Sequence, residues 1–218
     1  MPKRRREDSL WLRTEPGARK PRLSRAKIAE VAVAIADREG FEAVSMRRVA
    51  EALEVGTMSL YYYVKTRAEL MALMDDALMA EHLLPAVTKK GPKALLEIAL
   101  GTHEMLVRHP WALVAMRGAE PGPNAMRHVE QCLETLSETK LSAKEKLTLL
   151  AMVDDYVFGH ALRESESRAG LDEALAQAML ETGELPRVRQ TFEHGRIEVD
   201  ARRLRWGLEA IIGRFLPL

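Results

Sequence analysis

A short turn, "EVG" at residues 54–56, separates two stretches that can only be brief helices, and this restricts the fold more than any other feature of the chain. Before it, Ser45 is placed to cap a helix whose inward residues are Val49, Ala50 and Leu53. After it, Thr57 can cap a very short helix running through Tyr63. Upstream, Ser24 can cap a longer helix with Ile28, Val31, Ala32, Ile35 and Ala36 at helical spacing, and Gly40 supplies its stop. Downstream, Thr66 and Glu69 match a capping box, so a fourth helix starts there and turns Leu70, Leu73, Met74, Ala77 and Leu78 inward. Val49, Ala50, Leu53, Val55 and Leu60 are then the residues that clasp this group together.

The rest of the chain continues in the same style. Helices are expected at 93–108, 110–117, 124–138, 142–164, 171–182 and 200–216, with room for one short helix within 183–200. No strand-like alternation, internal repeat or low-complexity tract interrupts them, so the expected fold class is all-α. "LLPAVTKKGPKAL", with Pro85, Gly91 and Pro92, reads as a connector. The expected organisation is a flexible basic arm at 1–23, a helix-turn-helix domain with its connecting helix at 24–84, and a helical domain at 85–218.

A helix, a glycine-containing turn and a second short helix form the DNA-binding helix-turn-helix arrangement. Its inward residues once assigned, Arg47, Arg48, Thr57, Met58, Ser59, Tyr61, Tyr62 and Tyr63 are left for the outside or its margins. Those side chains suit a duplex: arginine for guanine edges, hydroxyls for phosphates or bases, methionine for a thymine methyl. Three consecutive tyrosines cannot share one buried face of a helix. Tyr61 and Tyr62 are therefore expected to reach phosphates, while Tyr63 packs partly under the domain or reaches its flank. Charge agrees with this. Residues 1–25 hold nine Lys or Arg against three acids, a surplus of six, so with a formal net charge of +1 the remainder carries −5. A basic end on a mildly acidic body fits a polyanion partner.

Other classes find little support. Cys132 is the one cysteine, which excludes an internal disulfide and a cysteine cage for a metal. No glycine-rich phosphate loop or "HExxH" pair occurs, His103 and His109 are six apart, and neighbouring Asp154 and Asp155 diverge on a helix. No catalytic residue, cofactor or metal site is expected, and the chain reads as no enzyme. No apolar run approaches bilayer length and no secretory signal opens the chain, which fits the reducing cytoplasm and excludes a membrane partner.

"GFEAVSMRRVAEALEVGTMSLYYYVKTRAEL" resembles the N-terminal domain of the tetracycline-repressor (TetR) family of bacterial transcription regulators, from about Ile28 to Leu73. The resemblance implies a homodimeric, all-helical repressor with an N-terminal DNA-binding domain and a C-terminal domain for ligand and dimerisation. It places Arg47, Thr57, Met58 and Ser59 where base edges can be reached, and Tyr61, Tyr62, Tyr63, Lys65 and Arg67 where the backbone is contacted or the helix supported. Thr57 and Met58 stand where the prototype has glutamine and proline, implying a different operator.

In the later helices, "RAELMALMDDALM", "RHPW" and "LRESE" resemble the tetracycline-repressor subgroup. Yet Met116 stands at its magnesium-ligating histidine and Arg163 at a metal-associated carboxylate, so the implied effector is a bulky, largely apolar or aromatic small molecule without magnesium. Candidate lining residues are His103, Leu106, Trp111, Met116, Arg117, Met126, Val129, Tyr156 and His160. Two apolar stripes, Leu147/Leu150/Val153/Val157/Ala161 and Leu204/Leu208/Ile211/Ile212/Phe215, serve either a dimer bundle or the chain's own core. The expected function is a repressor released from a palindromic operator by a small molecule. An activator and an effector-independent architectural DNA-binding protein are the alternatives.

Overall fold

The computed structural model describes residues 9–16, 23–115, 120–169, 185–194 and 199–216. Among them are ten α-helices and no strand: α1 Arg25–Glu39, α2 Met46–Ala52, α3 Thr57–Tyr61, α4 Arg67–His82, α5 Pro92–Arg108, α6 Ala112–Ala115, α7 Pro123–Thr135, α8 Ala143–Ala169, α9 Pro186–His194 and α10 Ala201–Phe215. The all-α expectation holds. The helix expected at 171–182 lies outside the described residues, and α9 occupies part of 183–200.

Local chemistry sets the boundaries. The Ser24, Ser45 and Thr66 hydroxyls accept from the N–H groups of Lys27, Arg48 and Glu69, each satisfying a donor the helix itself cannot. Gly40 takes φ 88° and ends α1, a conformation that a side chain strains. Two caps differ from the expected ones. Gly56, not Thr57, is the N-cap of α3, because Thr57 is already its first helical residue. The return half of the capping box goes one residue further back, where the Glu69 carboxylate accepts from Lys65 N–H at 2.8 Å.

Ile28, Ile35, Val44, Val49, Leu60 and Val64 are fully buried and hold α1, α2 and α3 as one head. α4 leaves this head, packs along α1, and carries its far end onto α5 and α7. α5, α8 and α10 pack on one another through Leu95, Leu106, Leu149, Val157, Leu204 and Leu208. The apolar stripes of α8 and α10 therefore belong to the chain's own core, with Ile211 and Phe215 partly buried at its edge. Leu147 departs from its stripe and is exposed, as are Met152 and Trp206 on the outer side of the same helices.

Part of the expected mobile arm is tethered. Leu10 is buried, Ser9 Oγ donates to Glu120 Oε1 at 2.6 Å, and Trp11 Nε1 donates to the Glu120 carbonyl at 3.4 Å. Arg13 pairs with Glu69, and Arg25 Nη1 donates to the Arg13 carbonyl at 3.0 Å. An apolar Leu–Trp pair among the charges gives residues 9–16 a reason to dock on the body. The basic clusters at 3–6 and 19–22 lie outside the described residues.

A candidate DNA-reading surface and effector cavity

Burying Leu60 completely fixes which side of α3 faces out. Met58 is 73% exposed, Tyr62 69% and Tyr61 43%, while Thr57 and Ser59 are half-buried beside them. Tyr63 is 6% exposed and packs in the core, so among the three tyrosines it is the one that supports the short helix from within. Of the two expected placements, under the domain or at its flank, the first is the one found. The Arg47 side chain is exposed on α2, paired along the helix with Glu51 at 2.9 Å. Such a pair is weakly held and its guanidinium can exchange partners. Arg48 is committed instead to a fork on Glu39, at 2.8 and 2.6 Å, and these bonds hold the Glu39 carboxyl below its ordinary range. Lys65 and Arg67 are exposed where α4 begins, with the Arg67 guanidinium 5.7 Å above the Phe41 ring.

Two polar clamps join this head and its connecting helix to the later helices. Asp37, near the end of α1, accepts from Trp111 Nε1 at 2.7 Å and lies 2.7 Å from His109 Nδ1. Trp111 also stacks on Phe41. In the second clamp, the Asp76 carboxylate on α4 accepts from the Asn124 backbone N–H at 2.7 Å and from Asn124 Nδ2 at 2.8 Å. It thus caps α7 from another helix. Gly122 is required there, because a Cβ would collide with that carboxylate.

At the far end of α4 a cavity of about 360 Å³ opens among His82, Leu84, Val87, Ile98, Gly101 and Thr135. His82 Nε2 lies 3.0 Å from Thr102 Oγ1, and its ring is 5.3 Å from that of His128. Burial lowers the pKa of both histidines, that of His128 to about 4, so both are neutral near pH 7. Cys132, one turn beyond His128, is pushed up to about 12 by burial and the nearby Asp154, which keeps its thiol unreactive.

None of the described sequence candidates lines this cavity. Trp111 is occupied with Phe41 and Asp37, Met126 is 62% exposed, and Leu106 lies in the core. Val129 is partly buried on α7, and Met116 and Arg117 lie outside the described residues. Tyr156 donates to the Arg203 carbonyl at 3.1 Å, joining α8 to α10. His103 and His160 do come together: His160 Nδ1 lies 3.2 Å from His103 Nε2, with Glu164 Oε2 3.2 Å from the same His103 nitrogen. Sequence reasoning missed His82, His128, Asp76, Asn124 and Glu164. Only the one-turn spacing of His160 and Glu164, and of His128 and Cys132, was available as a signal.

Residues 28–74 match the profile of bacterial regulatory proteins of the tetR family, and residues 89–213 that of the tetracycline repressor-like C-terminal domain. The HTH-type transcriptional repressor DrrR1 of Streptomyces coeruleorubidus is 40% identical over 164 residues, which are 71% of this chain and 60% of that protein. An HTH-type transcriptional regulator of Saccharopolyspora erythraea is 32% identical over 179 residues, 78% of this chain and 75% of the relative. The crystal structure of ActR from Streptomyces coelicolor in complex with actinorhodin superposes with a TM-score of 0.72 at 26% identity, covering 88% of this chain and 96% of that one. No described helix is long and apolar enough to cross a membrane. One profile covers the head and the other more than half of the chain, and with them the protein belongs to the tetR family of bacterial transcriptional regulators.

Proposed function

We propose that this regulator binds a two-fold symmetric operator as a dimer, one α3 per half-site in the major groove, and that a small molecule in the His82 cavity releases it. The observation that carries this reading is the outer side of α3: Met58, Tyr61 and Tyr62 stand exposed on a helix whose inner side is fully buried at Leu60. A helix of this kind fits a groove about 12 Å wide, with Arg47 and Met58 at base edges, and Tyr61, Tyr62, Lys65 and Arg67 on phosphates. Two reading helices must lie about 34–36 Å apart to reach successive major grooves, which needs a second copy. The outer sides of α8 and α10, with Leu147, Met152 and Trp206 exposed, supply an apolar surface for an isologous contact.

Release runs through α4. Its first turn follows α3 directly, its middle is clamped to α7 through Asp76, and its last residue, His82, lines the cavity. A largely apolar effector with a polar group toward His82 would shift the far end of α4, and thereby the spacing of the two heads. Such an effector must bind the DNA-free arrangement more tightly than the DNA-bound one. The cavity favours this reading over an architectural protein without effector, and the actinorhodin complex of ActR supports a small-molecule partner. The basic residues at 3–6 add backbone or minor-groove contacts. Truncation of residues 2–8 leaves Leu10 docked and should weaken DNA binding without unfolding the protein.

Selection of bound duplexes from a random pool tests the proposal. A palindromic winner is expected, with affinity falling on added salt by a slope of about −0.9 per phosphate neutralised. Absence of any enriched symmetric sequence would contradict it.

A further inference from the structure

The facing pair His103 and His160, with Glu164, forms a cluster that neither DNA reading nor the effector cavity uses. Its donors come from two helices, His103 from α5 and the other two from successive turns of α8. One ligand atom from each of His103, His160 and Glu164 lies within 4.8 Å of the other two, and His103 Nε2 is 3.2 Å from both His160 Nδ1 and Glu164 Oε2. Tetrahedral zinc, with ligands about 2.0–2.1 Å from the ion, needs donor atoms about 3.3 Å apart. The spacing thus fits one ion between the donors and leaves no room there for an organic group.

The surroundings agree. His103 and His160 are 7% and 3% exposed, with their ring centroids 5.1 Å apart and the planes edge to face. Glu104, Glu164 and Asp200 face the pair, against one cation, Arg203 on α10. Three carboxylates against one guanidinium give a field that favours a dication. Uncharged and without ion, the two rings can share only one proton across their facing nitrogens, a weak use of two buried imidazoles.

We propose that His103, His160 and Glu164 bind a borderline divalent transition ion such as Zn²⁺ or Co²⁺, with water completing the set, and that the ion ties α5 to α8. Two imidazoles and a carboxylate select against Mg²⁺, which prefers oxygen ligands. The site departs from the expectation that the chain holds no metal. It stands whether or not α3 reads DNA.

The test uses the untagged full chain, stripped with chelator and titrated with Zn²⁺ by calorimetry and with Co²⁺ by absorbance, beside His160→Gln and Glu164→Gln. Wild-type protein should take up one Zn²⁺ per chain, undisturbed by equimolar Mg²⁺, and rise in Tm on doing so. Outer-shell replacements already cost metal sites about 10–100-fold, so His160→Gln should lose at least about 100-fold in affinity. Glu164→Gln, at a half-buried position, should weaken binding while retaining the fold, and it carries the comparison should His160→Gln fail to fold. No Zn²⁺ uptake by wild type, or equal uptake in wild type and Glu164→Gln, overturns the proposal.

Discussion

The head and the helices behind it treat polar groups in opposite ways. Asp75, Thr102, His103, His109, Thr135 and His160 are the buried polar or charged residues of the described chain, and all lie at or beyond residue 75. The head keeps an apolar interior and puts its hydroxyls, methionine and arginine outside, at Tyr61, Tyr62, Met58 and Arg47. Burying polar groups costs stability unless each finds a partner. A head that must dock rigidly on a long polymer gains from avoiding that cost. Under the proposed function the later helices respond to a small molecule, and groups whose partners can change suit that role.

The largest effect that would break this contrast belongs to the head's interior. Leu60→Ala should destabilise by about 2–5 kcal/mol, whereas Leu147→Ala, on the exposed side of α8, should stay within about 0.5 kcal/mol, both read by urea unfolding. Equal effects would mean that the clasp of α3 is not as described.

Next is Asp75, buried on α4 with one carboxylate oxygen unpartnered. Burial, aided by the Asp76 charge, pushes its carboxyl from the ordinary 3.8 up to about 6. Between these values the folded chain holds a proton that the unfolded chain has released, so this group's contribution falls as pH rises through the window and stays unfavourable above it. Asp75→Asn should therefore stabilise by roughly 2–3 kcal/mol above pH 6, at about 2–4 °C in Tm per kcal/mol. The gain should vanish toward pH 4. Burial lowers the pKa of His128 and works in the opposite sense at low pH, so the mutant-minus-wild-type difference is the quantity to follow.

Asp76→Ala removes two bonds to Asn124 and should cost about 1.5–3 kcal/mol. It should also blunt effector response more than DNA affinity, measured by anisotropy with and without an effector found by thermal-shift screening. Least in stability is Arg47→Ala, at about 0.3–0.5 kcal/mol for its pair with Glu51, although DNA affinity should fall.

How far each region could be read from sequence follows from the same contrast. Ser24, Gly40, Ser45 and Thr66 act on residues three or four positions away, so the head's helices were legible, and the outward side of α3 followed from burying Leu60. The Thr57 cap failed because Gly56 N-caps α3 in an extended conformation with no side chain to identify it. In the later helices the determining contacts are long-range: Asp37 to Trp111, Asp76 to Asn124, His82 to Thr102, His103 to His160. Periodicity locates a side chain on its own helix and says nothing of which helix lies opposite. Trp111 and Met126 were thus expected in a cavity they do not line, and Leu10 and Trp11 were taken with the charges around them.

The most direct measurement is the affinity of Met58→Ala/Tyr62→Ala for the selected duplex, compared with wild type in the same salt. Each lost contact is worth about 1–3 kcal/mol, so binding should weaken by at least about 30-fold while Tm is essentially retained. Undiminished affinity in a folded double variant would mean that the outer side of α3 is not what meets DNA.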